Sequence, residues 1–164
     1  ALVRAYAYIR SYGKEHLSEI AENAVVNANY LLARLKDVYR APFAFRHSKH
    51  EFVLDGTPFA KQYGVHTLDI AKRIQDYGFY PPTIYFPLIV PDALMIEPTE
   101  TESKETLDKF VKAMTAIAEE IKRCPEMVKE APHDLPIRRL DDVKAAREPK
   151  LTYSSSPEQK SVHV

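Results

Sequence analysis

Between Gly13 and Pro42 the chain carries neither glycine nor proline, and Leu17, Ile20, Ala21, Ala24, Ala28, Leu31, Leu35 and Val38 recur on one helical face. A stripe of that length has to be covered by another element, so it fixes one wall of any fold open to this chain. The spacing predicts a helix over residues 14–39, with Glu19, Glu22, Asn23 and Asn27 facing elsewhere and Pro42 ending it. A shorter helix comes before it. Leu2, Ala5, Tyr6 and Ile9 share a face, and Gly13 supplies the stop, because glycine takes a left-handed backbone without penalty. A helix already under way at residue 2 reads as a cut inside a longer protein, with residues 1–13 the end of an inter-domain helix.

Residues 51–55 read as a short buried strand closed by a turn at Gly56-Thr57-Pro58. A further helix has Thr67 as its expected N-cap, Asp69 in its first turn, Lys72 and Arg73 late, and Gly78 as its stop. The apolar runs 83–86 and 93–96 are separated by Pro87 and Pro91, which cannot donate to a ladder, so a hairpin with an irregular connection is expected. The last long helix starts near Ser103, buries Leu107, Phe110, Val111, Met114, Ile117, Ala118 and Ile121, and breaks at Cys124-Pro125. This order predicts an α+β fold, a small mostly antiparallel sheet with helices on one face, over residues 14–124. The prolines at 125, 132, 136 and 149 predict a surface strap over 125–153, and the polar residues 154–164 a disordered tail.

Several function classes are disfavoured. Lysine plus arginine number 23, as do aspartate plus glutamate, so no basic field exists to attract nucleic acid. The single cysteine, Cys124, allows no intramolecular disulfide or thiolate cluster, which points to a reducing, cytoplasmic compartment. No apolar run reaches the roughly 18 residues of a membrane span. Glycines stand alone at 13, 56, 64 and 78, so there is no phosphate-cradling loop, and no Gly-x-Ser-x-Gly elbow occurs. His47, His50 and His66 with Glu51 do not share ligand spacing on one predicted helix, and a metal site is not expected. His50 has two readings, a partly buried histidine bonded to backbone, or a group facing a cleft on the side of Phe52 and Leu54. Glu100 and Glu102 are open in the same way, since acidic residues before a helix stabilise it through the dipole without any ligand.

Three ordered blocks carry a resemblance: His50-Glu51-Phe52-Val53-Leu54-Asp55, Asp76-Tyr77-Gly78-Phe79-Tyr80-Pro81-Pro82-Thr83, and Met95-Ile96-Glu97-Pro98-Thr99-Glu100. With Ala131-Pro132-His133 and Arg138-Arg139-Leu140-Asp141-Asp142-Val143, they closely resemble the C-terminal part of the glycine decarboxylase P-protein family, most of all subunit 2 of its two-subunit prokaryotic form. The resemblance implies the small domain of a fold-type-I pyridoxal-phosphate enzyme. Such an enzyme decarboxylates glycine, with the cofactor as electron sink, and passes the aminomethyl group to the lipoyl arm of H-protein. The implied partners are the chain's own large domain, subunit 1, lipoylated H-protein and glycine.

The resemblance also implies a cofactor lysine that follows a histidine. No His-Lys pair exists in this sequence, and Lys49-His50 has the opposite order, so no catalytic residue is assigned and the chain alone is expected to be inactive. His50, Glu51, Thr83, Glu97, Thr99 and Glu100 are the candidates for lining the cleft, because strand ends and strand-to-helix loops build such walls. Neither Arg46 nor Arg73 is assigned to substrate carboxylate binding. Two alternatives remain: a free-standing interaction module with the same fold, and the small domain of another fold-type-I enzyme such as an aminotransferase. The purified chain is expected to show no visible absorbance from pyridoxal phosphate. A band that borohydride bleaches would contradict the absence of a cofactor lysine.

Overall fold

The structure, a computed structural model, describes residues 1–152. The tail expected over 154–164 lies outside the described residues. Helix α1 (Leu2–Tyr12) ends at Gly13, which has φ +73°. The single helix expected over 14–39 is instead a 3-10 turn (Lys14–His16) leading into α2 (Leu17–Leu35). Only the second half of the predicted stripe enters the core. Ala28, Leu31, Leu32 and Leu35 are buried, while Leu17 and Ala21 are exposed and Ile20 and Ala24 half-buried. Helix α2 packs on the sheet and on α5 through its C-terminal turns alone, which leaves its first turns to wall a surface depression.

Strand β1 (Phe52–Asp55) is followed at once by helix α3 (Thr57–Tyr63), where a turn was expected. Pro58 is tolerated there because the amides of a first helical turn have no partner within the helix. Gly56 sits at a close approach, since a Cβ at this position would stand 3.2 Å from the Asp92 carbonyl oxygen and the Thr67 hydroxyl and force one of them to shift. In helix α4 (Thr67–Asp76) the N-cap is His66 rather than Thr67, and the His66 amide donates to Asp69 Oδ2 at 2.8 Å. The Thr67 hydroxyl is used elsewhere, on Asp92 Oδ1 at 3.2 Å, which ties the start of α4 to the chain entering the last strand.

Strands β2 (Thr83–Ile84) and β3 (Ala93–Ile96) form the expected hairpin, and the sheet order is β1-β3-β2, antiparallel throughout. Register sets Phe52 opposite Ile96 and Leu54 opposite Leu94. Those four side chains are buried against α2 and α5, whereas Val53 and Met95, which point the other way, are half-buried. Strand β2 is shorter than the run 83–86 suggests, because Tyr85 takes φ +58° and Pro87 follows.

Helix α5 (Lys104–Arg123) is capped by Ser103, whose hydroxyl accepts the Thr106 amide at 3.1 Å, and all seven of its expected core residues are buried. The segment after it departs from the surface strap expected from residue 125. Helix α6 (Pro125–Lys129) packs on α4 and α5, and Val128 and Ala131 are fully buried, so this part belongs to the core. Beyond it, Arg138 donates to the Pro132 carbonyl oxygen at 2.7 Å and Arg139 bridges Asp69 at 2.7 Å, ahead of a short helix α7 (Asp142–Arg147) with no buried residue.

Replacing Ile117 by Ala removes a fully buried side chain and is expected to destabilise the domain by about 2–5 kcal/mol. Leu17→Ala, which sits on the same predicted class of stripe but is exposed, should stay within about 0.5 kcal/mol. Chemical denaturation of the two variants measures the difference.

Candidate functional site

One wall is shared by two surface cavities near the end of the sheet. Where β3 runs out, Glu97, Pro98 and Thr99 separate a groove of about 370 Å³ from a depression of about 430 Å³. The groove is lined by Phe79, Pro82 and Thr83 and by Leu107 and Phe110 of α5, with Phe79 and Phe110 packed edge to face at 5.3 Å between ring centres. The depression is closed by His50 and Glu100 and by Ile20, Ala21 and Ala24 of α2, so the stripe residues that miss the core become its apolar wall. A third depression, about 550 Å³, is lined by Arg46, His47, Lys49, His50 and Glu51.

All six candidate residues line one or more of these cavities. Thr83 is exposed in the groove, paired in register with Met95, while Glu97 and Thr99 are exposed on the dividing wall. His50 lies before β1 begins, with 52% of its side chain exposed, so neither strand alternation nor burial against backbone describes it. Its Nε2 stands 3.9 Å from both Glu51 Oε2 and Glu97 Oε1. Glu100 is held from outside the cluster, accepting a hydrogen bond from the Tyr8 hydroxyl of α1.

The positioning residues were not among the candidates. Asn27 Nδ2 donates to the Thr99 carbonyl oxygen at 2.9 Å, anchoring the 97–102 loop on α2. Two residues on, Asn29 donates to the Ser48 carbonyl oxygen at 2.7 Å and accepts the Ser48 amide at 3.0 Å, which fixes the loop leading to His50. Two asparagines inside a helix were the available signal, since such residues disfavour helix interiors unless their amides find partners elsewhere.

Arg73 has a different task from substrate binding. Its guanidinium grips Glu120 of α5 through two bonds of 2.9 and 3.0 Å and reaches Asp76 at 3.0 Å, in a buried setting. Tyr77 donates to Glu120 at 2.7 Å, and Asp76 accepts the amides of His133 and Asp134 at 2.7 and 3.1 Å. The network therefore staples α4 to α5 and to the chain after α6. Arg46 stays exposed, 5.6 Å from the Phe45 ring centre.

These features define a small α+β domain whose sheet-end loops build a polar wall between open grooves. The chain belongs to the glycine dehydrogenase C-terminal domain family, which matches residues 20–138. It is 60% identical over 151 residues to a probable glycine dehydrogenase (decarboxylating) subunit 2 of Bacillus licheniformis, a match that covers 92% of this chain and 31% of the relative. A relative of the same description from Shouchella clausii is 56% identical over 156 residues, covering 95% of this chain and 31% of its own length. One from Chlorobium phaeovibrioides is 58% identical over 147 residues, covering 90% and 30%. The chain thus spans just under a third of the length of the curated relatives it matches.

Burial pushes the Glu120 carboxyl up, but the hydrogen bonds from Arg73 and Tyr77 outweigh it and hold the group below its ordinary value. Asp76 is lowered as well, with burial opposed by the Asp134 and His133 amides and by Arg73. A carboxylate depressed in the folded state adds stability above its unfolded pKa, near 4, and loses it as pH falls through the folded value. Glu120→Gln is expected to lose about 3 kcal/mol at pH 7. Its deficit relative to the unaltered chain should shrink as pH is lowered past 4, which denaturant titrations across that range would measure.

Proposed function

We propose that this chain forms one wall of the active-site cleft in a glycine dehydrogenase (decarboxylating) of the two-subunit kind. The observation that carries the reading is the convergence of the sheet-end loops: Thr83, Glu97, Thr99, Glu100, His50 and Glu51 line adjoining cavities within the family's matched span. In the whole protein, glycine would be decarboxylated and its aminomethyl group passed to the lipoyl arm of H-protein, in the cytoplasm. The large domain and subunit 1 would supply the rest of the cleft. The exposed apolar residues Leu2, Val3, Tyr6 and Ile9 of α1 support a role for residues 1–13 as part of an inter-domain helix. Among the described residues, no helix is long and apolar enough to cross a membrane.

Pyridoxal phosphate, when bound, supplies the electron sink for decarboxylation. The groove and the depression on either side of the Glu97 wall do not fit it. Their walls carry Glu97, Glu100 and Glu102, whose carboxylates accept hydrogen bonds and repel a phosphate, and Lys49 at their edge follows a serine rather than a histidine. The cradle of the cofactor belongs, on this reading, to the part of the protein outside this chain. What these residues contribute is shape and charge: acceptors for cationic groups on the Glu97 wall, and an apolar approach past Phe79, Pro82 and Phe110.

The reading is tested with the full-length protein, subunit 1 and H-protein, by following exchange of labelled bicarbonate into glycine. Exchange is expected, and Glu97→Gln should slow it by about tenfold or more while the assembly stays intact. Assembly without exchange in the unaltered protein would refute the glycine assignment.

A further inference from the structure

The β1–β3 ladder ends at Phe52 and Ile96, and the two residues just beyond it, Glu51 and Glu97, bring their carboxylates close together. Phe52 stands opposite Ile96, and the flanking Glu51 and Glu97 have carboxylate oxygens within 4.8 Å of each other. Like charges directly across an antiparallel pair destabilise it. His50 joins them, with Nε2 at 3.9 Å from a carboxylate oxygen of each, and the three groups' ligand atoms all lie within 4.8 Å of one another. At 3.9 Å the imidazole is too far to hydrogen-bond either carboxylate. The three groups converge on a common point without bonding to each other.

We propose that His50, Glu51 and Glu97 form a surface site for a divalent transition-metal cation, with one imidazole and two carboxylates as ligands and water in the open positions. A zinc ion draws imidazole nitrogen and carboxylate oxygen to about 2.0–2.2 Å, so the ligand atoms, now up to 4.8 Å apart, must close in around it. Side chains 52%, 38% and 57% exposed can do so by torsion alone. The imidazole favours zinc-like ions over calcium or magnesium, which prefer oxygen ligands throughout. Spacing along the chain could not reveal this set, because Glu97 reaches the other two through strand pairing. Lys49 and Glu100 line the same depression: Lys49 opposes an incoming cation and Glu100, already bonded to Tyr8, favours it. An ion here would lock the loop before β1 to the loop after β3, fixing the mouth of the proposed cleft. The binding itself stands on this geometry and not on the cleft reading.

The test is a calorimetric titration of the chelator-treated chain with zinc, with cobalt absorbance as a second readout and magnesium and calcium as controls. One equivalent of zinc is expected to bind, with no heat from magnesium or calcium at the same concentrations, and with affinity falling as pH drops because the imidazole must give up its proton. His50→Ala and Glu97→Gln should each weaken binding by about tenfold or more, while His16→Ala, an exposed histidine outside the cluster, should leave it unchanged. Circular dichroism checks that each variant stays folded. Absence of saturable zinc binding, or binding that survives loss of His50 and Glu97, overturns the proposal. So does occupancy by methylammonium in place of zinc. None of these outcomes depends on glycine exchange, so the metal site and the catalytic reading fail separately.

Discussion

The pairing of Phe52–Asp55 with Ala93–Ile96 is the constraint on which the rest of the architecture depends. It joins two segments far apart in the chain in one register, and that register points Phe52, Leu54, Leu94 and Ile96 to a single face. A slip of one residue would turn all four toward the opposite face, so burying them against α2 and α5 selects the observed alignment. The same alignment carries the ends of both strands together, which is why His50, Glu51, Glu97 and Thr99 are neighbours. Core and candidate site are two consequences of one ladder.

Polar anchors complete what apolar burial begins. The loops before β1 and after β3 are tied to α2 by Asn29 and Asn27, which bond their backbone. On the other side of α5, Arg73 and Glu120 meet in a buried, doubly bonded pair that would be unfavourable without Tyr77 and Asp76 to satisfy the remaining valences. This arrangement explains why an arginine on α4 serves the fold and is unavailable to a ligand.

Family membership gives the grooves their context. The family's matched span runs from within α2 to Arg138, so it includes all three strands, the dividing wall and the residues that staple the chain after α6. The relatives are about three times as long as this chain.

Local signals in the sequence determined the elements whose cause is local. Gly13 and Gly78 end helices through positive φ, Ser103 caps α5, and the period of Leu107, Phe110, Val111, Met114, Ile117, Ala118 and Ile121 marks its buried face. The two-strand pattern around Pro87 and Pro91 and the candidate residues at strand ends were legible for the same reason, and the family blocks were readable as words. Where partners come from distant segments, the sequence was silent. The first half of the α2 stripe stays out of the core because the sheet and α5 reach only its C-terminal turns, and Val128 and Ala131 enter the core because α4 and α5 leave room for α6. Thr67 lost its capping role to His66 once its hydroxyl found Asp92. Periodicity states which side chains could be buried together, but only the closed tertiary structure decides which surfaces are available to cover them, and so which residues remain outside to line a site.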